Sequence, residues 1–199
     1  MAFRDPILEN LIKKEIKRQR ETLALIPSEN FAPLETLKIL GTALSNKYSE
    51  GYPGKRYYPG NAYYDKIETL AQKRALKIFG LDPRKWHVNV QPYSGSPGNL
   101  AVYFALAEPG ETIMGMKLAD GGHLTHGHKV SATGKFWKSV QFGINPKTGL
   151  INYAEVAKLA RKHRPKVIVS GFTAYPRKVN FKKIGEIAKG VGAYHLTDI

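Results

Sequence analysis

The chain has 199 residues, 42% hydrophobic and 24% charged, with no cysteine, which is typical of a globular protein and excludes disulfides and thiolate metal sites. Its 31 lysines and arginines against 16 acids give a net charge of +15, compatible with a basic solvated surface or a polyanionic ligand. Because the sequence contains neither an apolar run of membrane-spanning length nor a secretory signal pattern, we expect a cytoplasmic protein without membrane contacts.

The first third of the chain is predicted to contain three helices and one unusual loop. Asp5 and the proline after it favour a helix over 7–25, and a second, short helix is predicted over 34–44. The run NKYSEGYPGKRYYPG at 46–60 breaks both helical and strand periodicity, and its four tyrosines and several charges favour a binding loop. Helical spacing of apolar residues predicts a third helix over 65–79.

From residue 88 onwards, short strands alternate with helices. Strands are predicted at 88–91, 112–116, 138–142, 167–171 and 193–197, helices at 94–107, 153–163 and 181–189 (the last ended by Gly190), and a Gly- and His-rich loop at 117–129. This alternation predicts an α/β domain with a mostly parallel sheet, whose ligands bind at the carboxyl ends of the strands. Since the sequence stops just after a strand, we expect it to be part of a longer protein.

The first candidate binding element is the turn Ser94-Gly95-Ser96 between a predicted strand and a helix. The free amides of a helix N-terminus, two hydroxyls and a glycine can hold a phosphate group. The alternative is an ordinary serine N-cap followed by proline, and the turn taken alone does not separate the two.

The second candidate is the run GGHLTHGH at 121–128, which places three histidines in eight residues. Histidine clusters can bind metals, but the chain has no H-E-x-x-H motif and no thiolate, so we expect no metal site. A planar imidazole on such a loop can instead stack on a flat aromatic ligand.

The third candidate is Asp198, at the end of a predicted buried strand. A buried carboxylate is costly unless it is paired, and a charge-assisted hydrogen bond to a protonated ring nitrogen would contribute about 1.5–3 kcal/mol. A helix N-cap is the alternative role. A phosphate seat, a stacking imidazole and a strand-end carboxylate together describe a pocket for a phosphorylated pyridine, which is pyridoxal phosphate.

These motifs resemble the serine hydroxymethyltransferase family over essentially the whole chain. The matching segments are LIPSENF at 25–31, NKYSEGYPGKRYY at 46–58, VQPYSGSPGN at 90–99, GGHLTHG at 121–127, GFTAY at 171–175 and AYHLTDI at 193–199. The resemblance implies a fold-type I pyridoxal-phosphate-dependent transferase (aspartate aminotransferase-like), with an N-terminal helical arm and interface loop at 1–64 and an incomplete large domain at 65–199. The implied reaction moves the serine hydroxymethyl carbon to tetrahydrofolate, giving glycine and 5,10-methylenetetrahydrofolate, in a homodimer or tetramer with shared active sites.

The resemblance also implies roles for individual residues. Ser94, Gly95 and Ser96 would bind the cofactor phosphate, His123 would stack on the pyridine ring, Asp198 would pair with the ring nitrogen, and Thr173 would lie near the ring oxygen. Ser28 would bind the substrate carboxylate, while Tyr48, Glu50 and Tyr58 would reach the neighbouring subunit's site, with Tyr48 on phosphate and Glu50 and Tyr58 beside the serine side chain. Leu118, Gly122, His123 and Leu124 would line the folate site.

Several features depart from the family pattern. Pro59-Gly60 stands where Gly-Gly is usual, Gly98 where alanine is usual, and Asp120 where His or Ser is common. The family's cofactor-binding lysine follows the strand-end aspartate at some distance, so we expect the isolated 199-residue chain to be inactive.

Two other hypotheses stay open on the sequence alone. One is a folate-independent aldolase of the same fold that acts on β-hydroxy amino acids. The other is a basic, non-enzymatic protein that binds RNA or another partner, whose only support is the net charge of +15. Because the basic residues occur along the whole chain without an RNA-binding signature, we do not expect a nucleic-acid partner.

Overall fold

The computed structural model describes residues 4–199 and divides the chain into two compact units, the first ending at Ala32 and the second running from Pro33 to Ile199. Helix α1 of the first unit spans Pro6–Glu21, and the Asp5 side chain caps it by accepting hydrogen bonds from the amides of Ile7 and Leu8 at 2.9 and 3.1 Å. The predicted helix is confirmed, but it ends four residues early. Thr22 is extended, and its hydroxyl donates to the Arg18 carbonyl.

The second unit begins with short elements around the tyrosine-rich run. Helix α2 spans Leu34–Leu40 and is shorter than predicted, and a 3₁₀ turn follows at Ala43–Asn46. Within the predicted loop, β1 (Gly51–Tyr52) and β2 (Lys55–Arg56) form an antiparallel hairpin that the sequence analysis missed. Its turn uses Gly54 at a positive φ of 75°. Helix α3 spans Ala62–Ile78 and starts three residues earlier than predicted.

A four-stranded parallel sheet forms the centre of this unit. The strands are β3 (Thr112–Met116), β4 (Lys138–Phe142), β5 (Val167–Ser170) and β6 (Tyr194–Thr197), in the spatial order β4-β3-β5-β6. The predicted parallel α/β architecture is therefore confirmed. The predicted strand at 88–91 is wrong, because the segment has irregular backbone and is held by the Gln91 side chain, which donates to Gly51 O at 2.8 Å and Glu68 Oε1 at 2.9 Å.

Helices cover both faces of the sheet. They are α4 (Gly95–Leu106), α5 (Ala132–Phe136), α6 (Tyr153–His163) and α7 (Phe181–Val191). The five-residue α5 was not predicted, because it is too short to show a helical period. Helix α7 continues through Gly190, the predicted end, and stops where Gly192 adopts a left-handed conformation with φ 73°.

Two apolar clusters fix the sheet between the helices. One joins α6 and α7 to the sheet and includes Met114, Met116, Phe142, Val156, Ala160, Ile168, Ile184 and Ala188. The other packs α4 and the indole of Trp137 on the opposite face, with Tyr103, Ala107, Ile113, Val167 and Val169. Because alternate residues of β3 and β5 belong to opposite clusters, both faces of the sheet are buried and its carboxyl edge is left to form a site.

Candidate active site

A pocket of about 270 Å³ opens at the carboxyl edge of the sheet. It is lined by Ser94, Gly95, Ser96, Asn99, His123, Phe172, Thr173, Asp198 and Ile199. Loops that leave β3, β5 and β6 meet there with the N-terminus of α4. Six of the seven residues expected to bind the cofactor therefore line one cavity, although they are up to about a hundred positions apart in sequence.

The N-terminus of α4 supplies donors for an anion. Ser94 is the N-cap residue, but its side chain makes no capping hydrogen bond. The first amides of a helix have no partner within the helix, so those of Gly95 and Ser96 are free to bind a ligand, while Pro97 has no N–H to leave unsatisfied. Free amides, two hydroxyls and the positive end of the helix dipole together suit a phosphate.

The Asp198 carboxylate is held in the pocket by two side chains. Its Oδ2 atom accepts hydrogen bonds from Asn99 Nδ2 at 2.9 Å and from His126 Nε2 at 3.0 Å. The bond from His126, with a further contribution from Asn99, lowers the pKa of Asp198 despite the opposing effect of burial. Its Oδ1 atom accepts no hydrogen bond from residues 4–199, so an ionised oxygen remains for a ligand.

His126 is the main site residue that the sequence analysis missed. Its side chain is fully buried. Its Nε2 is hydrogen-bonded to Asp198 Oδ2, and its Nδ1 accepts a hydrogen bond from the His123 amide at 3.4 Å. Because Nδ1 accepts a hydrogen bond, Nε2 carries the proton and the neutral ring donates to the carboxylate. The histidine-rich run drew attention to His126 as a candidate, but its partner Asp198 is 72 positions away in sequence, so the pairing could not be predicted.

A second chain of hydrogen bonds orients His123. Asn99 Nδ2 donates to Thr125 Oγ1 at 2.9 Å, and His123 Nδ1 lies 2.8 Å from that hydroxyl and 3.2 Å from the Thr125 amide. Since the amide can only donate, His123 Nδ1 is an acceptor and its Nε2 carries the proton. Because Asn99 also donates to Asp198, this one side chain helps to orient both the His123 imidazole and the carboxylate.

Gly171 permits the close approach of β5 and β6 below the pocket. Its φ is 95°, and a Cβ atom there would overlap the carbonyl oxygen of Asp198. The Asp198 amide also donates to Ser170 O at 2.7 Å, so the backbone on both sides of the carboxylate is fixed. In the histidine-rich loop, a Cβ at Gly122 would overlap Met116 O.

Tyr48, Glu50 and Tyr58 lie outside this pocket. Tyr48 and Glu50 line a separate cavity of about 690 Å³, and the rings of Tyr48 and Tyr58 are 6.3 Å apart between centroids. All three side chains are exposed. Buried Arg56 anchors this region by bonding Asp65 Oδ1 at 2.8 Å and Glu68 Oε2 at 2.6 Å.

The remaining expected residues are placed as follows. Leu118 and Leu124 are exposed, Gly122 is buried, and of the four expected folate residues only His123 lines the pocket. Ser28 belongs to the first unit, where it lines a cavity of about 410 Å³ with neighbours that include Arg18 and Phe31.

Three features are absent from the described residues. No lysine lines the pocket within residues 4–199. In the same part of the chain, no group of three or more histidine or acidic side chains is arranged to hold a metal ion, and no helix is long and apolar enough to cross a membrane.

Comparison with known proteins assigns the chain to a family. The family model described as serine hydroxymethyltransferase matches residues 1–199. The chain belongs to the serine hydroxymethyltransferase family. It is 53% identical over 195 residues to the serine hydroxymethyltransferase of Acidothermus cellulolyticus, and 53% identical over 188 residues to that of Methylococcus capsulatus. It is also 52% identical over 200 residues to the cytosolic enzyme of Oryctolagus cuniculus.

These alignments cover 98%, 94% and 98% of this chain but 45%, 44% and 41% of the three relatives. The chain therefore spans less than half the length of the curated relatives it matches. The resemblance stated from the sequence motifs is confirmed, as is the family's α/β fold with a parallel sheet.

Proposed function

We propose that the protein containing this chain transfers the hydroxymethyl carbon of serine to tetrahydrofolate and uses pyridoxal phosphate as its cofactor. The observation that carries the proposal is the pocket in which an anion seat, an oriented imidazole and an ionised carboxylate face one cavity. Membership of the serine hydroxymethyltransferase family supports the choice of reaction and of co-substrate.

The donor set fits a phosphorylated pyridine. The amides of Gly95 and Ser96, with the hydroxyls of Ser94 and Ser96, would hold the phosphate, and the His123 ring would lie against the pyridine. Asp198 Oδ1, which has no partner among residues 4–199, would accept a hydrogen bond from the ring nitrogen. Thr173 would donate to the ring oxygen. When bound, the cofactor supplies an electron sink for the cleavage of the serine Cα–Cβ bond.

Asp198 would keep the ring nitrogen protonated. Its lowered pKa means that the carboxylate is ionised at neutral pH, and the hydrogen bonds from His126 and Asn99 hold it in one orientation. A charge-assisted hydrogen bond of this kind contributes about 1.5–3 kcal/mol. Asp198 would therefore contact the protonated ring nitrogen directly, and His126 and Asn99 would hold the Asp198 carboxylate in position.

Glu50 would manage the proton of the serine hydroxyl, which must leave as the formaldehyde-like carbon departs. Ser28 would bind the substrate carboxylate, and Tyr58 would lie beside the hydroxymethyl group. Leu118, Gly122 and Leu124, next to His123, would line the folate site. These roles rest on the family match rather than on contacts within the pocket.

We also infer that the active sites are shared between two copies of the chain. Tyr48, Glu50 and Tyr58 are exposed and line no part of the pocket that contains Asp198, which supports a role in the site of a neighbouring subunit. In this arrangement residues 1–64 form the arm and interface region, and residues 65–199 form part of the cofactor domain. The cytosolic rabbit relative supports a cytoplasmic location.

The activity is tested with the purified complete protein, serine, tetrahydrofolate and added pyridoxal phosphate. We expect glycine and methylenetetrahydrofolate in equal amounts, and a strong loss of rate in Glu50→Gln but not in the exposed control Glu108→Gln. Glycine formation that is independent of folate would contradict the transferase proposal and favour the aldolase.

Site sharing is tested by mixing two inactive variants, Asp198→Asn and Glu50→Gln, under conditions that exchange subunits. A hybrid dimer then contains one site in which both residues are intact, so part of the activity returns. If each subunit's site is self-contained, mixing restores nothing.

A further inference from the structure

The segment from α6 to α7 carries more than half of the net positive charge of the chain. Ten of the 31 lysines and arginines, but only two of the 16 acids, lie in residues 153–191, which gives this segment a net charge of +8. The other 160 residues together carry +7. The basic character is therefore concentrated rather than spread evenly.

Helices α6 and α7 form one continuous surface. They cover the same face of the sheet, and a cleft of about 300 Å³ between them is lined by Ala157, Arg161, Lys183, Glu186, Ile187, Gly190 and Val191. Lys183 Nζ lies 5.4 Å from the centroid of the Tyr153 ring, whose hydroxyl accepts the amide of Asn180 at 2.8 Å. Cations from both helices thus face solvent side by side, and we call this surface the α6–α7 face.

Most cations of the α6–α7 face have no acidic partner. Lys158 pairs with Glu155 at 3.8 Å, and Lys166 pairs with Glu111 at 3.4 Å. Within residues 4–199, no salt bridge is made by the exposed residues Arg161, Lys162, Arg164, Lys182, Lys183 and Lys189. Unpaired like charges at this density attract polyanions and repel one another until such a ligand binds.

The shape and composition of the face indicate the kind of polyanion. Phe181, at 38% exposure, is the only large hydrophobic side chain of residues 153–191 that is substantially exposed. Stacking on single strands requires several exposed aromatic rings, and membrane insertion requires an apolar face, so neither is favoured. Cations on two adjacent helices, with Arg161 of α6 and Lys183 of α7 lining the same cleft, are suited to several phosphates of a duplex backbone.

We propose that the α6–α7 face binds double-stranded nucleic acid through its phosphates, without sequence preference. This departs from the expectation drawn from the sequence, where the basic residues were considered over the whole chain. None of the six unpaired cations lines the pocket that contains Asp198, so this binding is separate from the proposed catalysis.

The test uses the complete protein loaded with pyridoxal phosphate and a short fluorescein-labelled duplex, with fluorescence anisotropy recorded between about 50 and 200 mM salt. The test variant carries Arg161→Gln, Lys162→Gln and Lys189→Gln. The matched control carries Lys73→Gln, Arg74→Gln and Lys77→Gln, three exposed and unpaired cations of α3. Both variants remove three charges, and both remove cations from the last turn of a helix.

We expect the test variant to bind at least tenfold more weakly at the lower salt concentration, and its log–log salt slope to fall by roughly 2–3, since each lost phosphate contact removes about 0.9. The control should bind within twofold of the parent, and all three proteins should keep the same serine cleavage rate and thermal midpoint. Three results would overturn the proposal: no duplex binding by the parent, equal weakening in both variants, or tighter binding to a single strand or to anionic vesicles than to the duplex.

Discussion

Replacing Gly171 by alanine should disrupt the pocket by displacing the backbone of Asp198. Gly171 has a φ of 95°, which side chains rarely adopt, and strain of this kind costs about 1–3 kcal/mol. The added methyl would overlap the Asp198 carbonyl oxygen and lie 2.5 Å from its carbonyl carbon and 3.0 Å from its nitrogen. Because these are backbone atoms of a paired strand, overpacking adds about 1–3 kcal/mol, and the total loss is about 2–6 kcal/mol.

Gly192→Ala provides the matched control. Gly192 also has a positive φ, 73°, but no atom lies within 4 Å of the position that a Cβ would take. This variant should therefore lose only the strain of a left-handed alanine, about 1–2 kcal/mol. The assay is urea unfolding followed by circular dichroism, together with titration of pyridoxal phosphate into each folded variant.

Gly171→Ala should be the less stable variant and should bind the cofactor more weakly than Gly192→Ala does. Equal losses of stability in the two variants, or a parental cofactor affinity in Gly171→Ala, would contradict this prediction. Either result would mean that β6 can shift away from Gly171 without moving the carboxylate.

Three further perturbations test other contacts. His126→Phe removes the main cause of the lowered pKa of Asp198, so the ionised carboxylate should stabilise the fold less. Because that stabilisation is present above the usual carboxyl pKa and is lost as the pH falls through the lowered pKa of Asp198, the midpoint of acid unfolding should move to higher pH in this variant but not in His87→Phe. Arg56→Gln leaves Asp65 and Glu68 without the guanidinium that pairs with both, and it should clearly lower the free energy of unfolding measured in urea. Arg84→Gln breaks an exposed pair and should cost much less; equal losses in the two variants would contradict this expectation. Ser96→Asp places a negative charge at the N-terminus of α4 and should weaken the binding of pyridoxal phosphate at least tenfold. The affinity for phosphate-free pyridoxal should stay within twofold of the parent. Equal effects on both ligands would exclude the α4 N-terminus as the phosphate site.

The sequence predicted the regular elements of the second half of the chain well. The bounds of β3, β4 and α6 agree with the structure, since the apolar residues of each recur in a pattern that fits its element and turn signals lie on both sides. The strand predicted at 88–91 was wrong, because a side-chain contact rather than backbone pairing with another strand holds that segment. Val88 and Val90 have strand propensity, but Gln91 anchors their segment to the hairpin, and nothing in the local pattern reveals that contact.

The sequence also predicted which residues would meet at the carboxyl edge of the sheet, because parallel strands bring their ends together. It did not predict how those residues are held. His126 and Asn99 reach Asp198 across 72 and 99 positions, and such long-range hydrogen bonds depend on the packing of whole elements. Gly171 shows the same limit, since its close contact with the Asp198 backbone becomes visible only when β5 and β6 are paired.

Whether Asp198 keeps the ring nitrogen of the cofactor protonated is tested most directly by ¹⁵N NMR of the complete protein loaded with pyridoxal phosphate labelled at that nitrogen. We predict the chemical shift of a protonated pyridine nitrogen at mildly alkaline pH in the parent protein, and that of a neutral nitrogen in Asp198→Asn. A neutral nitrogen in the parent, or a protonated one in both proteins, would contradict the account.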